Sequence, residues 1–292
     1  MLWDAVRGVK HDLTNDREGV SVYGGGPPPH VPGVTVLGRE SLGEQRVGAG
    51  LPASFEQDVE DMVATVEREH RRRPFELIHA QYGYPCGLAA LEASRRLGLP
   101  NVVSIQGGDG HWVGTCCGTH KQAMLAVLGH AGALLIGSRS FAEEVRGHHG
   151  TPLERFTIVP GATDTRRFHP RDEASLGAVG EPPVLLYHGR VDARKGVMEL
   201  LEALRMLVRN GRELNIARML DEPELRRRLA RTALAEVREL YSWQAVGRHI
   251  QKVYGQLTGT GPDMGWTRLY DPATTVDTAD PSCRFRSAPH LL

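Results

Sequence analysis

No run of apolar residues in these 292 residues approaches the roughly 20 needed to cross a bilayer, and the start, MLWDAVRGVKHD, has no apolar core of a signal peptide. Charge of one sign is also missing. The 35 basic and 35 acidic residues cancel, so there is no electrostatic footprint for nucleic acid. Cysteine is scarce: Cys86, Cys116, Cys117 and Cys283 show no CxxC spacing and no paired histidine spacing for zinc. Adjacent cysteines such as Cys116 and Cys117 rarely bridge each other without strain. A reduced, cytoplasmic, soluble chain is the simplest expectation. No GxGxxG follows an early strand, which argues against a dinucleotide-binding enzyme such as an epimerase.

What is present, from residue 74 on, is a regular alternation of short apolar strands and helices. FELIHA (75–80), NVVSIQ (101–106), ALLIGS (133–138) and FTIVPG (156–161) read as strands. Helices are expected over 55–73, from Leu88 to Gly98, around 122–128, and through Val145, the last opened by a capping box of Ser140 and Glu143. A short strand at 34–37 is also expected. The pattern predicts an α/β domain with a parallel sheet whose ligands lie at the strands' carboxyl ends. His79, Gln81 and Tyr82 close the first strand at that mouth, and Gln106, Gly107, Gly108, Asp109, Gly110 and His111 follow the second. Glycines there let backbone approach a ligand, while Asp109 and His111 could bond hydroxyls or phosphate. His148, His149 and His169 lack metal-ligand spacing with a carboxylate and read as surface residues, and Asp164 reads as the cap of a local turn.

The segment 184–207, VLLYHGRVDARKGVMELLEALRML, reads as a buried strand, a cationic glycine turn and an amphipathic helix. Leu185, Leu186 and Tyr187 form the strand, and Val197, Leu200, Leu201, Leu204, Leu207 and Val208 the helical stripe. Gly189, Arg190 and Lys195 between them make a place for a diphosphate, where backbone N–H groups and a helix dipole converge. Two more amphipathic helices follow, on Leu225, Leu229, Ala233 and Val237, and on Val246, Ile250, Val253, Tyr254 and Leu257.

GRVDARKG, preceded by VPGATDTRRFHP and a GGDG turn, closely resembles the family 4 glycosyltransferases. The resemblance covers roughly 74–211 and 217–257. It implies a GT-B architecture of two Rossmann-like domains, here 1–170 on the acceptor side and 184–257 on the donor side, joined by a linker at 171–183. The remainder, 258–292, is expected to be a disordered tail. The second domain is incomplete: one parallel strand is legible, or two with 214–216, and the family's acidic donor motif is absent between 196 and 292. The family's opening strand and glycine-rich acceptor loop are absent as well, so the chain reads as a member with its front and the middle of its donor domain missing.

The resemblance further implies retaining transfer of a hexose from a nucleotide-diphosphate sugar to an acceptor hydroxyl, an activity expected to be impaired in this chain because an incomplete donor site positions the sugar nucleotide poorly. Arg190 and Lys195 would grip the diphosphate, Asp109 and His111 would act at the sugar, and His79, Gln81, Tyr82, Gln106, Gly107 and Gly108 would line the acceptor cleft. The family often places a histidine where this chain has Gln106, leaving His111 or His79 as substitutes. No metal or other cofactor is required by that arrangement. The alternative is a non-catalytic remnant that holds an acceptor or phosphate.

Overall fold

The computed structural model describes residues 2–4, 33–35, 37–39, 56–111, 113–172, 176, 178, 186–187, 196–210 and 221–261. Gly189, Arg190, Lys195, the possible strand at 214–216 and the tail beyond 261 lie outside these residues. The chain divides into two compact units, one of 1–160 with 249–292 and one of 161–248.

The first unit is α/β. Strands β1 (Leu2–Asp4) and β2 (Leu37–Arg39) pair in parallel. Helix α1 (Glu56–Arg72) leads to a four-stranded parallel sheet of β3 (Ile78–Gln81), β4 (Asn101–Ile105), β5 (Ala133–Ile136) and β6 (Phe156–Ile158), ordered as in the chain. Between them run α2 (Leu88–Leu97), the short α3 (Gly107–His111), α4 (Gly118–His130) and α5 (Arg139–His149). Sequential parallel strands joined by right-handed crossovers place every crossover helix on the same face. One face of the sheet therefore carries the main core: Ala80, Val103, Ile105, Leu134 and Ile136 packed with Val63, Leu91, Met124, Val127 and Val145.

The opposite face has a different cover. Strand alternation turns Leu77, Val102, Ala133 and Leu135 that way, where they meet Ile250, Val253, Tyr254 and Leu257. These belong to α8 (Trp243–Leu257), the last helix among the described residues, whose end folds with the first unit. Before it come α6 (Val197–Asn210) and α7 (Pro223–Leu240).

Four expectations need correction. Helix α5 is capped by Ser138, whose Oγ accepts from Phe141 N at 3.2 Å, because the chain turns helical at Arg139; Ser140 already lies inside the first turn. The apolar strand expected through Leu186 is not formed there: Leu186 is 87% exposed, since a strand covered on both faces needs sheet neighbours, and the described residues of the second unit show only an isolated bridge between Thr163 and Ser242. Leu201, placed in the stripe of α6, is 55% exposed. It follows Leu200, about 100° further round the helix and off the stripe's centre. Finally, His149 is not a surface residue. It is half-buried against Gly114, whose φ of +89 and lack of a Cβ make room for the ring.

Candidate acceptor site at the strand ends

In β3, alternation puts His79 and Gln81 on the α8 side of the sheet, and the register sets Gln81 beside Ser104 of β4. Tyr82 extends the pairing by one step, its N donating to Ser104 O at 2.9 Å. It does so at φ 77, a left-handed conformation that costs a bulky residue roughly 1–3 kcal/mol and that functional turns frequently hold.

These residues form one polar network. His79 Nε2 is 2.8 Å from Ser104 Oγ and 3.3 Å from Gln81 Nε2, while His79 Nδ1 is 2.5 Å from Tyr254 Oη. Gln106 Nε2 donates to Gln81 Oε1 at 2.9 Å, which aims the other side of the Gln81 amide at His79. Burial lowers the His79 pKa, so the ring is neutral at pH 7, with one nitrogen donating and one accepting. The amide nitrogen of Gln81 is only a donor, so the Nε2 it faces bears the lone pair, which Ser104 Oγ, the nearer group, takes; Nδ1 therefore carries the hydrogen and donates to Tyr254. The Tyr254 hydroxyl then has its own proton to give. Burial raises the Tyr254 pKa, which keeps that proton in place.

No member of this network is charged. Neutral donors and acceptors at strand ends suit the hydroxyls of an uncharged polyol better than a phosphate or a metal ion. A cavity of about 530 Å³ touches the network at His79 alone and lies toward the start of β3, lined there by Pro74, Phe75, Leu77 and Ile78 with Glu69 of α1 and Arg73 just after it.

Of the residues expected at the site, the structure brings together His79, Gln81 and Gln106, with Tyr82 beside them. Gly107 and Gly108 open α3 directly after Gln106, so the GGDG stretch is a helical turn. His111, at the end of that turn, stands apart from the network. Its Nδ1 lies 2.7 Å from Glu144 Oε1 of α5, and its ring packs at 4.7 Å against Phe141. Asp109 lies in the same turn. Asp164 caps a local turn as expected, its Oδ1 accepting from Arg166 N at 3.0 Å; the hydrogen bond from the Arg166 side chain, and then this backbone bond, lower its pKa.

Sequence reasoning missed Ser104 and Tyr254. The signal for Ser104 was the spacing Val102, Ser104, Gln106, one side of a strand; Tyr254 carried none beyond a place in an apolar stripe. Among the described residues, a group with metal-ligand character is Cys116, Cys117 and His120.

A four-stranded parallel sheet with helices between its strands is the Rossmann-like α/β class, in which the strands' carboxyl ends are the usual place for a ligand. The profile of the glycosyl transferase 4-like domain matches residues 7–162, and the chain belongs to that family. It is 28% identical over 164 residues to a D-inositol 3-phosphate glycosyltransferase of Arthrobacter sp. (strain FB24), a match covering 50% of this chain and 38% of that one. It is 27% identical over 138 residues to the "Putative teichuronic acid biosynthesis glycosyltransferase TuaC" of Bacillus subtilis (strain 168), covering 45% and 35%. The chain thus matches well under half the length of these curated relatives. No described helix is long and apolar enough to cross a membrane.

Proposed function

We propose that this chain is a retaining glycosyltransferase that moves a sugar from a nucleotide-diphosphate donor to an acceptor hydroxyl, and that the His79 network holds the acceptor. Family membership supports transfer of a sugar. The observation that carries the acceptor assignment is the neutral network of His79, Gln81, Ser104, Gln106 and Tyr254, made of groups that exchange hydrogen bonds with hydroxyls.

In this reading Arg190 and Lys195 of GRVDARKG neutralise the diphosphate as negative charge develops on it in the transition state. Asp109 and His111, the latter oriented by Glu144, meet the transferred sugar. The acceptor hydroxyl attacks the anomeric carbon from the face the diphosphate leaves, and configuration is retained. The sugar nucleotide is a co-substrate and the protein acts in the cytoplasm.

The test is release of nucleoside diphosphate from UDP-, GDP- and ADP-hexoses by the purified full chain with a panel of polyol and glycan acceptors. Acceptor-dependent release that falls at least about 100-fold in Arg190→Ala supports the reading, since misplacing a donor by about 1 Å costs that much. Release by none of the donors would overturn it.

A second reading, an acceptor-binding protein without turnover, is favoured by one observation: residues 196–292 contain no acidic donor motif. Saturable binding of an acceptor, lost in His79→Ala, with no turnover of any donor would select it.

A further inference from the structure

The segment that joins α3 to α4 ends in two adjacent cysteines, and His120 follows within the first turn of α4. Cys117 is the N-cap of that helix and is extended, with φ −164 and ψ 166. The backbone thus arrives straight and then coils, which swings His120 back beneath both thiols. Cys116 Sγ lies 3.3 Å from His120 Nδ1 and Cys117 Sγ lies 3.2 Å from the same atom. All three potential ligand atoms fall within 4.8 Å of one another. His120 is fully buried and its ring is tilted on Tyr84 at 4.8 Å; the cysteines are half-buried and form no disulfide.

Thiol-to-imidazole hydrogen bonding accounts poorly for this arrangement. Nδ1 has one in-plane lone pair, and two S–H donors at equal distance compete for it. A single cation satisfies both sulfurs and the nitrogen together. Zinc–sulfur bonds of about 2.3 Å and zinc–nitrogen bonds of about 2.0–2.1 Å at a tetrahedral angle set sulfur and nitrogen roughly 3.5 Å apart. The two observed sulfur–nitrogen distances, 3.3 and 3.2 Å, need to open by only about 0.2–0.3 Å to match.

We propose that Cys116, Cys117 and His120 bind one Zn²⁺ ion, with a water molecule completing its four-coordinate shell. Two sulfurs and an imidazole form a soft set that favours zinc over the oxygen-seeking Mg²⁺ and Ca²⁺. Coordination takes both sulfurs as thiolates and releases two protons to solvent. The ion fastens residues 113–117 to the start of α4. Through His120 it also braces Tyr84 in the turn Gly83–Gly87, which follows β3 and the candidate acceptor site. The role is structural, and it stands whether or not the chain transfers sugar.

The test is titration of the reduced, metal-stripped full chain with Co²⁺ and then Zn²⁺. The expected result is one equivalent of Co²⁺ with a thiolate-to-cobalt charge-transfer band in the near ultraviolet, erased by one equivalent of Zn²⁺. The band should vanish in C116S/C117S and persist in C86S, a neighbouring cysteine outside the set. Circular dichroism of the double variant shows that it folds, and the serines spare the buried His120. Absence of the band, its survival in C116S/C117S, or a Cys116–Cys117 disulfide in chain purified with Zn²⁺ present would overturn the proposal.

Discussion

Tyr254→Phe isolates the hydrogen bond that ties α8 to the candidate site. The ring keeps its place against Val102 and Leu135, so apolar packing is retained and only the hydroxyl leaves. Its loss orphans His79 Nδ1–H, which now sits 2.5 Å from Tyr254 Oη. An unmet buried donor costs about 1–3 kcal/mol, and the half-buried setting places this one at about 1–2. With roughly 2–4 °C per kcal/mol for a chain of this size class, the melting temperature should fall by roughly 2–8 °C. The assay is thermal and urea unfolding by circular dichroism at pH 8. A double-mutant cycle with His79→Leu separates the bond from the ring: once the imidazole is gone, Tyr254→Phe should cost less, giving a coupling of about 0.5–1.5 kcal/mol. Wild-type stability in Tyr254→Phe together with strict additivity would refute the network.

Other perturbations test the frame around the site. Burial lowers the pKa of His79, and burial with the nearby charges of His148 and Lys121 lowers that of His149. The unfolded chain therefore takes up protons that the fold refuses, so stability should be level above the ordinary value of 6.5 and fall as pH drops below it; His79→Gln should flatten that slope in pH-dependent urea melts. Burial pushes the Glu92 carboxyl up, but hydrogen bonds and charge from Arg95 and Arg96, 2.9 and 2.7 Å away, outweigh it and hold the pKa low. Its contribution should be present above pH 4.5 and be lost as pH falls through the lowered value. Because both arginines are partly exposed, Glu92→Ala should cost about 1–3 kcal/mol in the same melts at pH 7. A Cβ on Gly132 would lie 2.7 Å from Asn101 O, so Gly132→Ala should destabilise by about 1–3 kcal/mol, whereas Gly129→Ala in open helix should be neutral or stabilise by up to about 1 kcal/mol.

The two central strands were legible because β4 and β5 are short buried runs of Val, Leu and Ile closed by polar residues or Gly, whereas the edge strands β3 (IHAQ) and β6 (FTI) were placed by their spacing from those runs and by the helices between them. His79, Gln81 and Gln106 followed from that reading, since residues ending parallel strands gather at one edge. Tyr254 was not legible as a site residue. It joins His79 across 175 positions, and its place in the stripe of α8 announces burial without saying what the hydroxyl meets. The cap of α5 went to Ser138 because helix entry is fixed by where β5 ends, a tertiary constraint that the spacing of Ser140 and Glu143 does not contain. The Cys116, Cys117 and His120 cluster escaped notice for a related reason. Adjacent cysteines fit no spacing rule, and only the extended-to-helical turn at Cys117 folds them onto His120.

Whether this chain handles a sugar nucleotide can be read from its thermal stability with UDP, GDP, ADP and their hexose conjugates. At about 100 times the dissociation constant, a specific ligand adds roughly 2.7 kcal/mol to stability. A clear upward shift with one nucleotide, absent in Arg190→Ala, is the expected result. A cooperative melt that none of the nucleotides moves would contradict it.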